Sequence, residues 1–158
     1  MPAPHPDAID GLDTHFAPEH PLAALSGFYR AFNQRDLEAM ARNWSHDEAA
    51  SMSNPLGGIE RGWSRIRAVY ERIFLGEAHV RVVFHDYTLH EFGLHEFGDA
   101  FLAVGRERGV LERSNTKLEL AIRTTRLYRR VDGQWRQFHH HGSFEDPALL
   151  EAYHEAVR

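Results

Sequence analysis

Residues 118–144 read LELAIRTTRLYRRVDGQWRQFHHHGSF, and this stretch decides the fold. Apolar and β-branched residues recur at a period of two on both sides of Asp132-Gly133. Asp-Gly between two such runs is a strong short-range hairpin signal, because both turn positions of a type I′ turn need positive φ. Leu118 to Val131 and Gln134 to Phe144 are therefore two long antiparallel strands. Working backwards, Ala100 to Arg108 makes a third, and Val80, Val82, Phe84 and Tyr87 lie in a fourth. The intervening stretch from Leu89 to Phe97 contains the near-duplicate His90-Glu91-Phe92-Gly93 and His95-Glu96-Phe97-Gly98, and reads as a polar hairpin connection.

Further upstream the period changes to that of a helix. Leu22, Leu25, Phe28, Tyr29 and Phe32 fall three and four apart after Pro21, which suits the first turn of a helix. Asp36 is placed to cap a second helix bearing Leu37, Met40, Ala41 and Trp44. Ala49 to Met52 predicts a short strand, stopped by Asn54-Pro55 and Gly57-Gly58. A third helix carries Ile66, Val69, Tyr70, Ile73 and Phe74 on one face, and Gly76 closes it. Asp146-Pro147 opens a short C-terminal helix with Leu149, Leu150 and Tyr153. The resulting order, α-α-β-α-β-β-β-β-α, places helices first and hairpins later. That order is α+β rather than a parallel βαβ sheet. Strands of about ten residues covering three helices must curl, and a curled sheet closed by helices makes a cone with a cavity. The expected organisation is an irregular arm over 1–20, the main domain over 21–145 and the closing helix over 146–158.

Composition narrows the function classes. A chain of 158 residues with 42% hydrophobic and 26% charged residues suits one domain with a sizeable core. The net charge of −5 offers no attraction to nucleic acid or anionic lipid. No apolar run approaches the roughly 20 residues that span a bilayer, and the start of the chain lacks the basic and apolar regions of a signal peptide. A cytoplasmic location is the default expectation. The absence of cysteine excludes disulfides, thiolate metal sites and cysteine nucleophiles.

Several local motifs, in their order, resemble the nuclear transport factor 2-like superfamily in its SnoaL-like branch. They are Phe28-Tyr29-Arg30-Ala31-Phe32-Asn33-Gln34-Arg35-Asp36-Leu37-Glu38-Ala39-Met40, then Trp44-Ser45-His46-Asp47, Asn54-Pro55-Leu56-Gly57-Gly58 and Gly62-Trp63. The tail from Thr125 to Trp135, leading into His139-His140-His141-Gly142-Ser143, is similar to the association domain of calcium/calmodulin-dependent protein kinase II and its bacterial relatives. The resemblance covers about residues 21–145. It implies a cone-shaped α+β barrel, with three N-terminal helices packed in a curved, mostly antiparallel sheet and a short C-terminal helix. It does not fix a function, since the superfamily holds isomerases, cyclases, dehydratases and assembly domains.

A ketosteroid isomerase-like site needs a carboxylate base with a tyrosine and a protonated aspartate as oxyanion hole. By the resemblance, those positions fall on Asn54, Phe28 and the vicinity of Thr125, where the required groups are missing. SnoaL-like cyclases use an aspartate at that same strand position. On a strand, His139 and His141 share one face and His140 takes the other. Two imidazoles at i and i+2 suit a metal, with His85 or His90 as a third ligand, yet no acid stands beside them at a characteristic spacing and no metal or cofactor is expected. His139 and His141 are the candidates for acid–base chemistry, since imidazole titrates near neutrality. Arg106 and Arg126 either face the cavity, where a guanidinium favours a planar anion such as a carboxylate, or pair with surface acids such as Glu107 or Glu119. Trp44 and Trp63 either line the cavity or belong to the core. The expected pocket is thus Phe28, Trp44, Asn54, Trp63, Arg106, Thr125, Arg126, His139 and His141. The leading reading is a homodimeric small-molecule-binding domain. The alternatives are a lyase, isomerase or cyclase for a small organic acid or polyketide-like substrate, and an oligomerisation module.

Overall fold

Three amphipathic helices are laid down before most of the sheet. The computed structural model describes residues 3–158, so Met1 and Pro2 of the N-terminal arm lie outside the described residues. Helix α1 runs Pro21–Asn33, α2 Leu37–Asn43 and α3 Trp63–Leu75. The Asp36 carboxylate accepts from the Ala39 amide, as its place before α2 requires. His20 caps α1 through its ring nitrogen, which accepts from the Leu22 amide.

Strands β1 (Ser51–Ser53) and β2 (Ile59–Arg61) form a small hairpin before α3. The sequence predicts only one strand there, because the three residues of β2, two of them exposed, carry no period to read. Four long strands follow: β3 (His79–Leu94), β4 (Gly98–Arg113), β5 (Thr116–Val131) and β6 (Gln134–Phe144), before the closing helix α4 (Pro147–Ala156). The expected connection at 89–97 is instead mostly ladder, since β3 continues to Leu94 and β4 starts at Gly98. Its side chains are exposed on both faces, so apolar alternation vanishes while the backbone pairing persists.

The sheet order is β2-β1-β6-β5-β4-β3, antiparallel throughout except for the parallel β1–β6 pair. It curls around the helices without closing. Both turn residues of the β5–β6 hairpin, Asp132 and Gly133, have positive φ (52° and 77°), as the Asp-Gly signal demanded. Two irregularities bend the long strands, one between His85 and Thr88 on β3 and one between Leu127 and Tyr128 where β5 meets β6.

The core lies between the helices and the concave face, where Leu25, Phe28, Tyr29, Met40, Ile66, Phe84, Phe101 and Tyr128 are almost wholly buried. The arm is irregular but anchored. Ile9 is buried and exchanges two backbone hydrogen bonds with Phe84, which covers part of the β3 edge. Gly11 sits at φ +89°, and a Cβ there would fall 2.3 Å from the Arg30 backbone nitrogen. Only glycine lets the arm lie this close to α1.

Candidate functional site

Strand parity decides what reaches the interior. On β5 the even residues Leu120, Ile122, Thr124, Arg126 and Tyr128 are buried on the concave face. On β4 the inward row is odd and includes Phe101, Ala103, Glu107 and Leu111. On β6 the irregularity shifts the inward set from Trp135 and Gln137 to His140, Gly142 and Phe144.

These rows meet helix α1 at a buried polar cluster. Arg126 Nη2 donates to Glu107 Oε1 at 2.8 Å, and Arg126 Nη1 donates to Gln137 Oε1 at 2.7 Å. Arg126 Nε donates to the Tyr29 hydroxyl at 3.2 Å, which itself donates to Glu107 Oε1 at 2.8 Å. Gln137 Nε2 and the Tyr128 hydroxyl both donate to Asn43 Oδ1, and the Asn43 amide donates to the Ala24 carbonyl. The guanidinium lies over the Phe28 ring, 3.6 Å from its centroid. Burial holds the Tyr29 hydroxyl well above the usual tyrosine range, so it acts as a neutral donor.

A chamber of about 80 Å³ lies against this cluster. Apolar side chains line most of it, including Phe28, Val69, Ile73, Leu120, Ile122 and Phe144, with Glu107, Arg126 and His140 as the polar groups of the sheet wall. It adjoins a vestibule of about 520 Å³ that shares Asn54, Val69, Ile73 and Tyr153 with it. Glu60, Arg72, Glu77 and Arg113 line the vestibule, so its walls are charged where those of the chamber are mainly hydrocarbon.

His140 is 5% exposed, with Nδ1 enclosed by protein and the ring against the Thr125 backbone. Burial, then the positive charge of Arg126, push its pKa well below the usual histidine value, so the ring is neutral at pH 7. The linkage has a definite sign. Below about pH 6.5 the unfolded chain protonates this imidazole while the folded one does not, so stability falls with pH by up to about 1.4 kcal/mol per unit from this group. His140→Leu is expected to flatten that slope. Urea unfolding at pH 7.5 and 5.5 measures it, and equal slopes in both proteins would refute the assignment.

The sequence-predicted residues divide between the two sides of the sheet. Phe28, Asn54 and Arg126 line the chamber. Asn54 sits where chamber and vestibule join, its side-chain oxygen accepting from the Leu56 amide. Trp44 is core: its indole donates to the Tyr70 hydroxyl at 3.2 Å and lines neither space. Trp63 stacks on His46 with centroids 5.1 Å apart, also away from both spaces.

Arg106 lies outside, paired with Asp86 at 3.0 Å and Glu145 at 2.6 Å, because the even row of β4 faces solvent. Thr125 and His141 are paired across β5 and β6 and line an outer groove with Arg106. His139 is half-buried and shares a hydrogen bond with Ser51 at 2.8 Å. His139 and His141 do share a face, but it is the outer one, and the chamber receives His140. Glu107, read as a surface acid, is instead the buried partner of Arg126, with side-chain exposures of 7% and 3%. Among the described residues no three His, Asp or Glu side chains converge as a metal site. No helix among them is long and apolar enough to cross a membrane.

Comparison with known proteins places this geometry. The family description SnoaL-like domain matches residues 22–147. A candidate calcium/calmodulin-dependent protein kinase type II association domain from Thiobacillus denitrificans is 26% identical, with a TM-score of 0.62 over 80% of this chain and 95% of that one. A candidate dehydratase of the NTF2-like family from Streptomyces avermitilis is 19% identical, with a TM-score of 0.64 over 77% and 90%. A second candidate association domain, from Xanthomonas campestris, is 15% identical, with a TM-score of 0.65 over 85% and 96%. No curated protein matches the chain.

Proposed function

The chain belongs to the SnoaL-like domain family, and from that premise we propose that it binds a small organic molecule inside its cone. The observation that carries this reading is the chamber itself, an apolar hollow beside a charged vestibule with polar groups grouped on one wall. A concave, mainly apolar site with a few placed polar groups is the form ligand sites usually take. His140 supports it, as a nearly buried neutral imidazole among the polar groups of that wall. The ketosteroid isomerase pattern finds Phe28 and Asn54 in place of a tyrosine and a carboxylate base, which favours binding over that chemistry.

In the same reading the domain pairs with a second copy through the outer face of the sheet. The name of the Thiobacillus relative, a candidate association domain, supports self-assembly.

Ile73 stands where chamber and vestibule meet, so Ile73→Trp should plug the passage. Toluene, a neutral apolar molecule of the chamber's size, is expected to give saturable amide shifts at Ile122 and Phe144 of the native protein by NMR. The Ile73→Trp variant, folded by circular dichroism, should lose most of them. Equal shifts in both proteins, or none in the native one, would overturn the proposal.

A further inference from the structure

We infer that the chamber selects neutral molecules with a hydrocarbon body and a hydroxyl or carbonyl group, excludes carboxylates, and reads the polar group through His140. This rests on the chamber being a ligand site, and goes further by naming what it takes.

The first ground is charge. The charged side chains lining the chamber are Arg126 and Glu107, and they are paired with each other at 2.8 Å. Their sum is zero. Each nitrogen of the guanidinium already donates, to Tyr29, Gln137 and Glu107. An incoming carboxylate would bring a second anion to a single cation whose charge Glu107 already balances, on a wall where both side chains are almost wholly buried. Burying a charge without a partner is the costliest event such a wall can host. An arginine facing a cavity suggests an anion site, but this arginine is already satisfied by the protein's own acid.

The second ground is the His140 ring. It is nearly inaccessible and lines the chamber, and its Nε2 lies 3.2 Å from where a Cβ of Gly142, on the inward row, would stand. A neutral imidazole carries one N–H donor and one lone pair. A hydroxyl can meet either and a carbonyl the donor. Neither brings a charge.

The third ground is size. A chamber of about 80 Å³ has room for about five to eight water-sized groups, which corresponds to a body near six carbons. Larger members of the class would extend past Ile73 and Tyr153 into the vestibule.

The test uses 1-hexanol and pentanoate, matched in heavy-atom number, and toluene, which lacks a hydroxyl or carbonyl. Amide shifts of the native protein are followed by NMR at pH 7.5. Hexanol should give saturable shifts at Ile122, Arg126 and His140, with affinity about tenfold or more above that of pentanoate. In His140→Leu the hexanol affinity should fall about fivefold, and that of toluene less than twofold. Pentanoate binding as tightly as hexanol at those residues would overturn the inference while leaving the ligand site standing. Unchanged hexanol affinity in His140→Leu would remove the role given to His140. No shifts with any of the three compounds would overturn the ligand-site reading itself.

Discussion

Arg126→Met should destabilise the protein by about 3–5 kcal/mol, lowering its melting midpoint by roughly 10 °C or more. The expectation follows from what remains after the change. Glu107 stays at 7% side-chain exposure with no cation beside it, and Gln137 Oε1 and the Tyr29 hydroxyl lose donors. The loss is mainly the cost of an abandoned buried charge, since a buried pair as a whole contributes little. That distinction is measurable. In Arg126→Met/Glu107→Gln the charge is gone, and the amide oxygen can still accept from Tyr29. At least half the lost stability should return in urea unfolding. If the double variant is as unstable as the sum of the two single ones, Arg126 and Glu107 are not energetically coupled.

Gly109→Ala carries the second large effect, for a steric reason. Gly109 faces Val82 across the β3–β4 ladder, and a Cβ there would lie 1.9 Å from the Arg81 carbonyl oxygen. The obstacle is backbone, so no side-chain rotation relieves it. Gly105, two places back along the inward row, is similarly crowded, with Tyr87 Cβ at 2.6 Å. Together with the irregularity between His85 and Thr88, these glycines allow β3 to fold over β4. Adding one methyl should cost about 3 kcal/mol, or roughly 10 °C in melting midpoint, although alanine is ordinarily the milder residue in a strand. A melting curve unchanged by Gly109→Ala would mean that the curl does not depend on this close approach.

The architecture was largely legible because its signals are local. The spacing of Leu22, Leu25, Phe28, Tyr29 and Phe32 fixed a helix face, Asp36 fixed a helix start and Asp132-Gly133 fixed a hairpin. The site was less legible because it depends on strand faces. Phe101-Leu102-Ala103-Val104 is apolar on both sides, so it says nothing about whether Arg106 or Glu107 points inward. A longer parity count supplies the missing signal: Phe101, Ala103 and Leu111 share a row with Glu107, and Leu120, Ile122 and Tyr128 share one with Arg126. On β6 no count suffices, because the irregularity near Phe138 exchanges the faces between Gln137 and His140. A one-residue slip of this kind puts the wrong histidine in the chamber. Tyr29 was legible as a residue buried between helix and sheet, while its bond to Glu107 spans 78 positions of sequence and had no local trace.

The most direct measurement is a crystal structure of the protein soaked in 1-hexanol. Density should fill the hollow between Phe28, Ile122 and His140, with the alcohol oxygen about 2.7–3.2 Å from a ring nitrogen of His140. A soaked crystal in which Phe28, Ile73 and Leu120 have closed together and the alcohol is found only on the outer surface would contradict the account.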